Sequence, residues 1–117
     1  MSTARSARQR LEDMVGAIDL ALDVVGRGRQ AYDAEWTLRA ALIREFEIIG
    51  EAVAALPPEL LERYPESPWA KARGMRNELA HRYFADDPDL VWQSAVENLP
   101  PLLVQVKRIL AELESAQ

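Results

Sequence analysis

Apolar residues recur along the chain at the three- and four-residue spacing of an amphipathic helix, and nowhere in the sustained two-residue alternation of a strand. In residues 8–25, Leu11, Met14, Val15, Ile18, Leu22 and Val25 line one helical face, and Gly26 and Gly28 end the segment. A second face spans residues 33–56 through Trp36, Ala40, Ile43, Phe46, Ile49, Val53 and Leu56. Asp33 is its predicted N-cap and Pro57-Pro58 its stop. Residues 57–68 read as a proline-rich connection with one short helical turn at 59–63. Ser67 then caps a third helix, with Pro68 at its first position, where a missing N–H costs nothing. That helix should run to about residue 82, with a loop at 83–87. Asp87-Pro88 repeats the same start for a fourth helix carrying Leu90, Val91, Ala95 and Val96. Pro100-Pro101 is expected to break or kink it, and residues 102–114 continue as a fifth segment through Leu103, Val106, Ile109, Leu110 and Leu113. The pattern predicts an all-α, four-to-five-helix up-and-down bundle, a single domain over residues 1–117.

Composition narrows the chemistry. A chain of 117 residues, 49% hydrophobic, suffices for one core that buries roughly two-thirds of its unfolded surface. The absence of cysteine excludes a disulfide framework and a cysteine-based zinc site, and one histidine argues against any zinc centre. No apolar run approaches the roughly 20 residues of a membrane span, and residues 1–10 lack a hydrophobic signal core, so a cytoplasmic chain without a membrane partner is expected. The net charge of −5 argues against a general nucleic-acid-coating protein. A local basic site remains: Lys71, Arg73, Arg76 and Arg82 crowd around the only histidine, His81, with Glu78 the sole acid among them.

The third helix therefore holds the candidate chemistry. Measured from Arg76 around a regular helix, Arg73, Asn77 and His81 lie at about 60°, 100° and 140°, beside a buried face built on Trp69, Ala72, Met75 and Leu79. Lys71, Glu78 and Arg82 fall on the opposite side. An imidazole titrates near neutral pH, and a guanidinium donates forked hydrogen bonds to phosphate oxygens as their charge develops. Asn77, one turn before His81, can orient the imidazole or hold the phosphate. RNA supplies its own nucleophile in the 2′-OH, so no metal and no cofactor is called for. Concerted acid–base cleavage wants two proton-transfer groups, and a two-fold dimer would bring two copies of His81 to one cleft. Spacing alone is equally met by an edge histidine bonded to a nearby carbonyl, with its arginines solvated.

The string GMRNELAHRYF at 74–84 resembles the signature of HepT-like toxins of the HEPN superfamily: an arginine, four to six residues, then histidine. Here that is Arg76 to His81, extended to His-x-Tyr by Tyr83. The blocks IREFEIIGEA at 43–52, SPWAKARGMRN at 67–77 and DLVWQSAVENLPPLL at 89–103 are similar to the family in order and spacing. The resemblance implies a homodimeric HEPN-like bundle whose paired motifs face one another across a cleft. It also implies metal-independent RNA cleavage, tRNA being one candidate substrate, by the toxin of a type II toxin–antitoxin system. Arg76 and His81 would be catalytic, with Asn77 assisting; Lys71, Arg73 and Arg82 would meet the RNA. The implied partner is an MntA-type nucleotidyltransferase antitoxin that transfers AMP to Tyr83. Two positions depart from the family pattern: Glu45 stands where Asn is usual, and Ala85-Asp86-Asp87 replaces Gly-Val-Asp.

Other residues carry blander expectations. Glu47 and Glu51, with Arg44, read as a salt-bridge face rather than a metal site, although Glu51 is placed to steady an arginine of the third helix. Trp36, Trp69 and Trp92 read as core or dimer-interface aromatics rather than base-stacking platforms. Gly26-Arg27-Gly28 reads as a helix terminator, and Arg5, Arg8 and Arg10 as a solvated helix start. Two rivals to the nuclease are a non-catalytic binding partner of a nucleotidyltransferase and an inactive structural dimer.

Overall fold

The computed structural model describes residues 3–66, 69 and 86–115, with side chains from Ala7 onward. Every element among them is a helix: α1 (Thr3–Gly26), α2 (Arg29–Ala34), α3 (Trp36–Ala55), α4 (Pro58–Arg63) and α5 (Pro88–Ser115). The all-α bundle expected from the hydrophobic pattern is the fold observed. Apart from Trp69, the third helix of the sequence reading, its Ser67 cap and most of the 83–87 loop lie outside the described residues.

α1 is the spine, packed along both α3 and α5, whereas α3 and α5 barely meet. Its buried stripe is Ala7, Leu11, Met14, Ala17, Ile18, Ala21 and Val24. The three alanines let neighbouring backbones approach. Val15, Leu22 and Val25, placed on the same face by the sequence, flank it half-buried. α1 ends as the glycines require. The N–H groups of Arg27 and Gly28 bond the carbonyls of Val24 and Val25 at 3.1 and 3.0 Å. Gly28 then turns the chain at φ 96°, a conformation costly for residues with a Cβ.

Two expectations for the next segment fail. Asp33 is not the N-cap of the long second helix; it lies inside α2, a separate short helix, and a corner at Glu35 precedes α3. No glycine or proline marks that break. It is held by Arg39, whose Nη1 donates to the carbonyls of Tyr32 and Asp33 at 2.8 and 2.7 Å, satisfying α2's terminal acceptors. The buried face of α3 also differs. Leu38 and Leu42, not Trp36 and Ala40, begin the stripe that continues through Phe46, Ile49, Val53 and Leu56. Two apolar stripes share the second half of this helix and diverge by about 150° in its first half. The bundle buries the leucine stripe, which leaves Trp36 69% exposed and therefore outside the chain's core, and carries Glu45 inside.

Beyond Leu56, the helical turn expected at 59–63 is α4. Pro58 opens it, and the Pro57 carbonyl accepts from Leu60 N–H at 3.0 Å. Asp87 caps α5 as expected, its Oδ1 accepting from Leu90 N–H at 3.1 Å. The predicted break at Pro100-Pro101 does not occur, and α5 continues through both prolines. Both rings are exposed, so the Val96 and Glu97 carbonyls that lose an N–H partner are on the water-facing side. The buried stripe Val91, Ala95, Leu99, Leu102, Val106 and Ile109 runs uninterrupted beneath. Among the described residues no helix is long and apolar enough to cross a membrane.

Candidate functional site

The motif residues Arg76, Asn77 and His81, the cations Lys71, Arg73 and Arg82, and Tyr83 all lie outside the described residues. The structure does show how the chain is held immediately before and after them. Both anchors end on α5.

The upstream anchor is Trp69, seven residues before Arg76. It is buried, and its indole N–H donates to the Tyr64 carbonyl at 3.0 Å. Tyr64 is itself buried, and its hydroxyl donates to the Glu112 carboxylate on α5. Arg108 completes the group, with Glu112 at 3.4 Å and Glu66 at 3.7 Å. The Tyr64 hydrogen bond, followed by Arg108, holds the Glu112 carboxyl below its ordinary pKa, against a desolvation effect in the opposite sense. The same bond, and then burial, pushes the Tyr64 phenol up.

The downstream anchor is Pro88, five residues after Tyr83. The hydroxyl of Tyr32, a residue only 1% exposed, donates to the Pro88 carbonyl at 2.8 Å. The Tyr32 ring lies 4.9 Å from that of Trp92, tilted by 46°. Arg29 covers both, its guanidinium carbon 5.6 and 5.8 Å from the two ring centres. It also pairs with Asp33 at 2.8 Å and with Asp89. Hydrogen bonds to Asp89 and then Asp33 raise the Arg29 pKa further, so it stays cationic. Burial raises that of Tyr32, keeping its phenol protonated and able to donate.

Reasoning from sequence did not single out Arg29, Tyr32, Tyr64 or Glu112. Arg29 and Asp33 are four apart, a weak signal, while Tyr32–Pro88 and Tyr64–Glu112 join residues 56 and 48 positions apart, which no local pattern announces. The tryptophans divide: Trp69 is buried, Trp92 half-buried against Tyr32, and Trp36 exposed. Arg44, Glu47 and Glu51 are exposed and no ion pair joins them among the described residues; the third-helix arginines that Glu51 was expected to steady lie outside those residues. Nor do the described residues hold a group of three or more potential metal ligands. At the start of α1, Arg10 is solvated as expected, whereas Arg8 is half-buried with Nη2 enclosed and without a hydrogen-bond partner among the described residues; the Arg5 side chain lies outside them. Glu45 is the one buried charged residue described, and burial pushes its carboxyl up, partly offset by Arg44.

A helical bundle with no strand among its described residues, strapped at two points around a basic Arg/His segment, is of the HEPN type. The family model described as "Ribonuclease HepT-like" matches residues 14–109, a range that takes in Arg76, His81 and Tyr83. The chain belongs to the HepT-like ribonuclease family. It is 34% identical over 107 residues to "Putative RNase TTE0752" of Caldanaerobacter subterraneus, covering 91% of this chain and 96% of that one. To "Probable ribonuclease HepT" of Thermococcus cleftensis it is 33% identical over 99 residues, 84% of this chain and 90% of the relative. No solved structure matches the chain.

Proposed function

We propose that the protein is a metal-independent endoribonuclease, the toxin of a type II toxin–antitoxin pair, and that it works as a homodimer with one composite site. The observation that carries this reading is the family match over residues 14–109, within which the Arg76-x4-His81 pair keeps the family spacing. The 2′-OH attacks the adjacent phosphorus as His81 of one subunit takes its proton. The P–O5′ bond breaks, and the partner subunit's His81 protonates the departing 5′-oxygen. The products are a 2′,3′-cyclic phosphate and a 5′-hydroxyl. Arg76 stabilises the charge on the non-bridging oxygens, and Asn77 positions the phosphate or the imidazole. Lys71, Arg73 and Arg82 attract the backbone, and each phosphate contact should add to the salt dependence of binding.

Regulation on this reading is the transfer of AMP to the Tyr83 hydroxyl by a partner nucleotidyltransferase. The product carries bulk and a negative phosphodiester beside the cationic segment, and both oppose an RNA backbone. Intact-mass measurement after co-expression with such a transferase should show one AMP or more on Tyr83; an unmodified Tyr83 removes this part. Cleavage itself is tested with bulk tRNA in EDTA. Wild-type protein should release fragments with 2′,3′-cyclic ends, and folded His81→Ala should not. Complex formation with the transferase but no RNA fragments would identify a non-catalytic binding partner instead.

A further inference from the structure

We propose that α2 is a positioning element for the cleavage motif: Tyr32, braced by Arg29, fixes the point at which the chain leaves that motif. The proposal rests on the reading in which Arg76 and His81 cut RNA. α2 contributes little to the core, since Tyr32 is its only buried residue. That residue reaches beyond its own helix twice, its hydroxyl donating the 2.8 Å hydrogen bond to the carbonyl of Pro88 and its ring packing against Trp92. Pro88 is the first residue of α5 and lies five residues after Tyr83 in the chain.

The arrangement around that bond fixes it from several sides. Trp92 backs the Tyr32 ring one turn into α5. Arg29 bridges Asp33 on its own helix to Asp89 on α5 while lying over both rings. Arg39 of α3 holds the carbonyl end of α2. Asp87 caps α5 at the same place. Residues 88 and 89 are thereby tied to α2, which Arg39 in turn ties to α3.

Chain length carries that constraint to the motif. Tyr83 and His81 precede Pro88 by five and seven residues, so they lie within about 18 and 25 Å of it in any conformation. With Trp69 fixed on the other side, the motif spans two anchored points. A displacement of about 1 Å in a reacting group can lower a rate by up to about 100-fold, so loosening one anchor should show in turnover before it shows in binding.

The test uses the full chain, bulk tRNA and EDTA, at a temperature well below unfolding. Tyr32→Phe removes only the hydroxyl and keeps the buried ring. The expected result is kcat lower by about tenfold with KM within twofold and an unchanged far-UV spectrum. Arg29→Gln, at an exposed ion pair that adds little stability, should lower kcat by about threefold, and Arg29→Lys should restore most of it. Should Tyr32→Phe fail to fold, the Arg29 pair decides alone. Wild-type kcat in folded Tyr32→Phe, or in Arg29→Gln, overturns the proposal and leaves the nuclease reading intact if His81→Ala is inactive. Absence of cleavage by the wild type, or full cleavage by His81→Ala, overturns the reading itself and the proposal with it.

Discussion

Replacing Asp87 by alanine tests the start of α5, the helix on which both anchors converge. Asp87 Oδ1 accepts the Leu90 N–H at 3.1 Å, satisfying one of the donors that a helix N-terminus leaves without an intrahelical partner. Losing such a cap costs about 1 kcal/mol, and removing a carboxylate from the positive end of the helix dipole adds about 0.3–1 kcal/mol. A domain of 117 residues unfolds with an entropy of about 0.25 kcal/mol/K near its midpoint. Asp87→Ala should therefore lower Tm by about 5–8 °C. Asp87→Asn keeps the acceptor and loses only the charge, so it should fall by about 1–4 °C. The assay is thermal unfolding followed by circular dichroism at one protein concentration, since an associating chain has a concentration-dependent midpoint. An unchanged midpoint in Asp87→Ala, or an equal loss in Asp87→Asn, would refute the capping argument.

Three further substitutions probe the core, the buried Glu45 and the exposed Glu112 beside Tyr64. Phe46→Ala empties a fully buried position where α3 meets the core and should cost about 3–5 kcal/mol in urea unfolding; a loss under 1 kcal/mol would place that ring outside the core. Glu45 has its folded pKa raised, so it favours folding below its unfolded value and opposes it as pH rises through the folded one. Glu45→Gln should accordingly be more stable than wild type at pH 7 and lose that advantage below about pH 4, by thermal melts across pH. Glu112 is shifted the other way by Tyr64 and Arg108, so its contribution is present above the unfolded value and fades as pH falls through the folded one. Glu112→Gln should be less stable than wild type at pH 7, with the gap closing in acid; a gap independent of pH would show that the carboxylate charge plays no part.

Much of the fold was legible because it is written in local period and punctuation. The faces of α1 and α5, the glycine stop at Gly26 and Gly28, the turn after Pro57-Pro58 and the Asp87 cap all depend on residues within a few positions of one another. The failures share a different cause. The corner at Glu35 depends on Arg39 reaching back to α2, and the choice of stripe in α3 depends on which neighbours need covering. The continuity of α5 through Pro100 and Pro101 depends on those prolines facing water. At the site, residue types and the Arg76-to-His81 spacing were readable, as was the family that carries them. The Tyr32–Pro88 and Tyr64–Glu112 bonds, which tie down the chain on either side, arise only when distant segments meet.

The central claim is that one RNA linkage is cut by groups from two chains. It is tested most directly with a heterodimer isolated through two different tags, one subunit wild type and the other Arg76→Ala/His81→Ala. If the site is composite, this heterodimer should cleave bulk tRNA at under about a hundredth of the wild-type rate, in keeping with the two-to-four orders of magnitude a proton-transfer group supplies. Retention of half the wild-type rate would mean that each chain carries a complete site of its own, and would contradict the account.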